Sequence, residues 1–237
     1  MRLGEIMAVL LAAGQSRRMQ SGINKQYLYL GAKPVLYHSL ATLLDIHEIS
    51  GVVVVIAAGE EDLCRQEVLK PFGFETKVKV VFGGALRQDS VFCGLAALPF
   101  STELVVIHDG ARPLVRSVDV LNSLAAAREY GAATVGLPVQ DTIKVVDTVG
   151  MVVETPLREQ LWSVQTPQAF TFQLLMQAHR QALASGFRGT DDASLVERLG
   201  YPVKIVPGTY SNIKVTTPED LVVARELLRV KELKGNC

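Results

Sequence analysis

A chain of 237 residues is long enough for one large α/β domain or two small ones, so burial capacity does not limit it. Its 24 Lys and Arg balance 24 Asp and Glu, which leaves no net field to gather a nucleic acid. Any anionic ligand must be held by a local cluster of charge. A 49% hydrophobic and 20% charged composition is ordinary for a globular protein, and no stretch is apolar for long enough to span a bilayer.

The opening MRLGEIMAVL runs straight into a strand-like segment without the sections of a secretory signal, which leads us to expect a cytoplasmic protein. The first buried-type strand spans Ile6 to Leu11. It ends in Leu11-Ala12-Ala13-Gly14-Gln15-Ser16-Arg17-Arg18-Met19, small residues followed by two cations. Small side chains let backbone N–H groups approach phosphate oxygens, and arginines add charge-assisted bonds. Neither a Gly-Lys-Ser/Thr ending nor a Gly-x-Gly-x-x-Gly pattern is present, so this is neither a Walker loop nor the usual dinucleotide fingerprint. Lys25 follows closely in Asn24-Lys25-Gln26-Tyr27.

Pro34 to Ile46 has helical periodicity, with Leu36, Leu40, Leu43 and Leu44 on one face and Pro34 suited to a first helical turn. Strand-like runs recur at Val52 to Ile56 and Val78 to Phe82. After the latter come Gly83-Gly84, Arg87, Asp89 and Ser90. Two glycines allow the backbone to meet a planar base edge, although Asp89 or Ser90 serves equally well as a helix cap. The run Leu104 to Ile107 leads into His108-Asp109-Gly110-Ala111-Arg112-Pro113. A carboxylate at the end of a parallel strand, facing a phosphate loop, is a suitable hard ligand for Mg²⁺, and Asp109 is assigned that role. His108 reads as a packed strand residue.

Further runs at Ala133 to Val139 and Val203 to Val206 complete an alternation of strands and helices. Such alternation predicts a Rossmann-like α/β fold with a mostly parallel, twisted sheet flanked by helices. Ligands bind such sheets at the carboxyl ends of the strands. Asp141 to Thr155 breaks the pattern: it reads as two strands around Gly150, a projecting β-arm at about 139–160 that is too small to be stable alone. An exposed apolar ribbon invites a partner, and a homodimer joined through the arms is expected. Thr217-Pro218-Glu219-Asp220 begins a last helix, with Thr217 as N-cap, running to about Val230. No linker or repeat appears, so residues 1–237 are read as a single domain. The cysteines Cys64, Cys93 and Cys237 suit neither a disulfide framework nor a zinc site.

Together, LAAGQSRRM, the following KQY, and Asp-Gly-Ala-Arg-Pro resemble the signatures of the sugar-phosphate nucleotidyltransferases, in particular the cytidylyltransferases acting on methylerythritol phosphate. The order and spacing of Asp141-Thr142-Ile143-Lys144, Arg158, Thr166-Pro167-Gln168, Thr190-Asp191-Asp192-Ala193 and Asn212-Ile213-Lys214-Val215 extend the likeness over nearly the whole chain. Asn24 and Ser211 depart from it, standing where proline and aspartate are expected. The resemblance implies that CTP and 2-C-methyl-D-erythritol 4-phosphate are the substrates and that Arg18, Lys25 and Lys214 stabilise charge at the α-phosphorus. It also implies that Leu11, Ala12, Ala13, Gly14 and Asp109 line the nucleotide site and that Gly83, Gly84 and Ser90 read cytosine. Thr142 and Arg158 would grip the methylerythritol phosphate, Arg158 from the other subunit; Arg112, Thr166, Thr190 and Asp191 would complete substrate binding. Two rivals stand beside this reading: a ribitol 5-phosphate cytidylyltransferase, disfavoured by Ala12-Ala13-Gly14 and Asp109-Gly110-Ala111, and a non-catalytic nucleotide-binding module.

Overall fold

The structure, a computed structural model, describes residues 4–14 and 24–235. Its strands are β1 (Glu5–Ala12), β2 (Tyr29–Leu30), β3 (Lys33–Pro34), β4 (Ile49–Ile56), β5 (Val78–Phe82), β6 (Thr102–Asp109), β7 (Ala132–Pro138), β8 (Val145–Val146), β9 (Val152–Glu154), β10 (Trp162–Thr171) and β11 (Lys204–Pro207). Its helices are α1 (Val35–Leu44), α2 (Glu61–Cys64, continued by a π turn at Arg65–Leu69), α3 (Arg87–Ala96), α4 (Ser117–Tyr130), α5 (Phe172–Ser185), α6 (Asp192–Arg198) and α7 (Pro218–Gly235). Seven strands form one sheet in the order β11-β7-β10-β6-β1-β4-β5. Every pairing is parallel except those of β10, which runs antiparallel between β6 and β7.

The sheet is buried on both faces, which is why its strands read as continuous apolar runs. Along β1, Ile6, Ala8, Leu10 and Ala12 enter the core shared with α1, α2 and α4, whereas Met7, Val9 and Leu11 enter the core shared with α3, α5 and α6. The result is a three-layer α/β/α arrangement. Pro34 is the N-cap of α1 and not its first helical residue. The last helix starts as expected, with Thr217 Oγ1 accepting from the Asp220 N–H (3.3 Å) and Asp220 Oδ2 from the Thr217 N–H (2.9 Å), but continues beyond Val230 to Gly235.

The arm is present as the antiparallel pair β8–β9, turned at Gly150, whose φ of +86° is the left-handed region that favours glycine. Val145, Val146, Val149, Met151, Val152 and Val153 are all exposed on it.

Candidate active site

The carboxyl ends of β1, β5 and β6 surround a cleft of about 520 Å³. Leu11 near the end of β1, with Ala13 and Gly14 just beyond it, forms one side, while Gly84 enters from the β5–α3 connection and Ser90 from the first turn of α3. Gly83 makes this closure possible: a Cβ there would stand 2.6 Å from both Ala13 Cβ and Ser90 Oγ. Gly110 has the same role on the opposite side, since a Cβ would lie 2.7 Å from Leu36 Cδ1 and 3.0 Å from the Leu11 carbonyl oxygen. Ser90 is buried and its hydroxyl donates to the Leu86 carbonyl (3.0 Å), while Asp89 caps α3 by accepting from the Leu86 N–H (3.1 Å).

Asp109, at the end of β6, is the electrostatic centre of the cleft. Lys214 Nζ lies 2.8 Å and Arg112 Nε 3.8 Å from its Oδ2, and Arg87 Nε lies 3.5 Å from its Oδ1. Burial alone would raise this carboxyl's pKa, but the charges of Arg87, Lys214 and Arg112 outweigh it and hold the group well below the usual carboxylate range. Asp109 is therefore an anion at neutral pH. Arg87 is shared, because its Nη1 also pairs with Asp192 Oδ2 at 2.7 Å, and Asp192 Oδ1 in turn takes His179 Nε2 at 3.0 Å.

A second network fixes the end of β6 from behind. Burial lowers the His108 pKa to about 4, so the ring is neutral. A carbonyl can only accept, hence Nε2–H donates to the Arg112 carbonyl (3.3 Å) and Nδ1 accepts from the Thr166 hydroxyl (3.0 Å). The Thr166 oxygen then accepts the Asp109 N–H (3.1 Å).

The family model for 2-C-methyl-D-erythritol 4-phosphate cytidylyltransferase (IspD) matches residues 6–230. The chain belongs to this family. It is 49% identical over 235 residues to the 2-C-methyl-D-erythritol 4-phosphate cytidylyltransferase of Desulforamulus reducens, covering 99% of both chains. Identity to the same enzyme of Caldanaerobacter subterraneus is 48%, over 94% of this chain and 99% of that one. Among solved structures, the 4-diphosphocytidyl-2C-methyl-D-erythritol synthase of Anaerococcus prevotii superposes with a TM-score of 0.85 at 35% identity, over 95% of this chain and 96% of that one. The Thermus thermophilus cytidylyltransferase gives 0.79 at 36%, over 95% and 99%.

Within this cytidylyltransferase fold the expected site residues fall in several places. Leu11, Ala13, Gly14, Lys25, Gly84, Ser90, Asp109 and Lys214 line the cleft, with Ala12 buried in the sheet and Gly83 closing the wall behind them. Arg112 adjoins it through Asp109, and its Nη1 donates to the Asn212 carbonyl (2.8 Å). Thr166 and Asp191 are instead spent on internal bonds. The Thr166 hydroxyl belongs to the His108 network, and Asp191 is the N-cap of α6, accepting from the Ser194 N–H (3.0 Å) and Gln168 Nε2 (2.7 Å). Thr190 beside it is exposed and does not line the cleft. Thr142 and Arg158 are exposed on the arm, away from the cleft lining of their own chain, with Arg158 Nη1 donating to the Gln140 carbonyl (3.0 Å). Arg18 lies outside the described residues.

The sequence pattern alone gives no role to Arg87 or Asp192, which the fold pairs across 105 residues of chain, with Arg87 also meeting Asp109. A local signal did exist for Arg87. It is the first residue of α3, where the helix dipole disfavours a cation unless acidic partners hold it.

Proposed function

We propose that this chain transfers the cytidylyl group of CTP to 2-C-methyl-D-erythritol 4-phosphate, giving 4-diphosphocytidyl-2-C-methyl-D-erythritol and pyrophosphate for isoprenoid precursor synthesis. The observation that carries the reading is the cleft itself, in which a glycine-walled slot opens onto Lys25, Lys214 and an ionised Asp109. The substrate's phosphate oxygen attacks the α-phosphorus, and the bond to the β-phosphate oxygen breaks with its electron pair leaving on pyrophosphate. A phosphate dianion is already deprotonated, so no protein nucleophile or general base is required; positioning and charge neutralisation suffice.

The backbone of Gly83 and Gly84, with the Ser90 hydroxyl, meets the cytosine edge, and the backbone of Ala13 and Gly14 approaches the phosphates. Lys25 and Lys214, with Arg18, stabilise charge at the α-phosphorus. Arg112 adds positive charge beside the cleft, its buried Nε 3.8 Å from Asp109 Oδ2. Asp109 is the one carboxylate lining the cleft among the described residues, which fits Mg²⁺, an ion that takes one or two protein carboxylates and fills its shell with phosphate and water. When bound there, Mg²⁺ supplies further neutralisation of the triphosphate charge.

We also propose that residues 1–237 act as a single domain, and that two copies join through the arms around a two-fold axis in the cytoplasm. The exposed valines of β8 and β9 support this, as does the position of Thr142 and Arg158 outside their own chain's cleft lining. Such pairing would bring each arm's Thr142 and Arg158 to the partner's substrate. The test is pyrophosphate release measured with each nucleoside triphosphate and with methylerythritol and ribitol phosphates. Turnover confined to CTP with methylerythritol phosphate is expected; equal turnover with ribitol phosphate, or none with CTP, would overturn the assignment.

A further inference from the structure

Lys25 sits in a single 3₁₀ turn, Lys25–Tyr27, whose N-cap Asn24 makes no side-chain bond to cap it. Three residues of 3₁₀ helix hold little order of their own. The turn is fastened instead to one carboxylate that comes from elsewhere in the chain. Asn24 Nδ2 donates to Glu60 Oε1 (2.9 Å) and the Tyr27 hydroxyl donates to Glu60 Oε2 (3.2 Å), so each oxygen holds one flank of the lysine. The Tyr27 ring is buried, and burial, followed by the neighbouring Cys64 and Glu60, drives its phenol pKa upwards, which keeps it a proton donor.

Glu60 is itself well placed to act as an anchor. It follows the end of β4 through Gly59, whose φ of +85° turns the chain, and its backbone is fixed on both sides: its N–H donates to the Ala57 carbonyl (3.2 Å) and its carbonyl accepts the Cys64 N–H (2.8 Å). A carboxylate on this rigid corner at the carboxyl edge of the sheet holds the flanks of a lysine that lines the cleft.

We infer that Glu60 is a positioning residue for Lys25, its two oxygens clamping Asn24 and Tyr27 so that the ammonium group is held where the α-phosphate reacts. The inference rests on the proposed role of Lys25. A clamp of this kind acts on the transition state, where placement matters most, and little on the ground-state affinity for CTP. Asn24 has φ −63°, the value to which a proline ring would lock it, so a covalent constraint can stand in for one half of the clamp.

The experiment compares kcat and the KM for CTP in the full-length enzyme carrying Glu60→Gln, Lys25→Ala, both together, and Asn24→Pro with Glu60→Gln. Glu60→Gln is expected to lower kcat about tenfold, the equivalent of one charge-assisted hydrogen bond, with KM within about twofold. It should cost nothing further in the Lys25→Ala background, and Asn24→Pro should restore part of the kcat that Glu60→Gln removes. Tyr27→Phe, which keeps the buried ring, cuts the other half of the clamp and should show the same split between kcat and KM even if Glu60→Gln folds poorly. Parent-like kcat in both Glu60→Gln and Tyr27→Phe, or an equal fold-loss with and without Lys25, would overturn the clamp. Parent-like turnover of Lys25→Ala itself would instead remove the role of Lys25 on which the clamp depends.

Discussion

Two inactive chains should make an active enzyme if each arm serves the neighbouring site. Consider Arg158→Ala, which leaves Lys25 intact, mixed with Lys25→Ala, which leaves Arg158 intact. Arg158 is held on the arm by the Gln140 carbonyl and does not line its own chain's cleft. In a mixed dimer, one site combines the first chain's Lys25 with the second chain's Arg158, and the other site lacks both. Random exchange makes about half the dimers mixed, so roughly a quarter of all sites should be intact. Turnover should therefore recover to about a quarter of the parent value after co-expression or joint refolding, measured by pyrophosphate release. No recovery, with mass spectrometry showing that mixed dimers had formed, would place Arg158 in its own subunit's site or in none.

Other consequences are more local. Lys214→Ala should lower kcat by about 10²–10³ at saturating substrates with a much smaller change in KM, because the charge it meets accumulates in the transition state; near-parent turnover would remove it from the chemistry. Asp109→Asn should keep the fold and raise the Mg²⁺ concentration needed for activity, since an amide is a poorer ligand for a hard cation, and an unchanged metal titration would refute this. His108 ties stability to pH: its folded pKa of about 4 lies below the ordinary value near 6.5, so the unfolded chain binds the proton more tightly. The stability it contributes is present above about pH 6.5, falls as pH drops, and is fully lost below about 4, a change on the order of 3 kcal/mol. Denaturant melts across that window should show a shallower pH dependence for His108→Asn than for the parent.

The strands that the sequence announces are those whose apolar runs are unbroken, and all six are found within a residue or two of where they were expected, apart from extensions at their ends. β10 was not legible, although it lies inside the sheet between β6 and β7. Its stretch SVQTPQAF carries Gln165, Thr166 and Gln168, which are buried yet polar because the network around His108, Asn212 and Asp191 satisfies them. Composition has no means of distinguishing such a strand from a loop. The cleft glycines were legible because close backbone approach restricts the residue type, and Asp109 because it ends a buried strand at the carboxyl edge of the sheet. Thr166 and Asp191 stand in a recognisable motif, but nothing in the sequence shows that the Thr166 hydroxyl bonds to His108 or that Asp191 caps α6. The Arg87–Asp192 pair was invisible because only the packing of α3 against α5 and α6 brings its partners together.

That pair bears on how the cleft tolerates its own charge before CTP arrives. Arg87, Arg112 and Lys214 surround Asp109, and like charges this close would repel if the carboxylate were absent. Asp109 offsets part of that repulsion, and Asp192, buried and paired with His179, offsets more of it through Arg87. Asp192 is fixed by its place at the start of α6 and by its N–H, which donates to Gln168 Oε1 (3.2 Å). Arg87 consequently has a partner that no ligand needs to displace, while Lys214, more exposed than Arg87 or Arg112, is paired among the described residues with Asp109 alone. Of the three cations around the carboxylate, Lys214 is the one that can exchange its partner for an incoming phosphate at least cost. The ion pairs thus separate a charge that holds the site's shape from a charge that is available to the reaction.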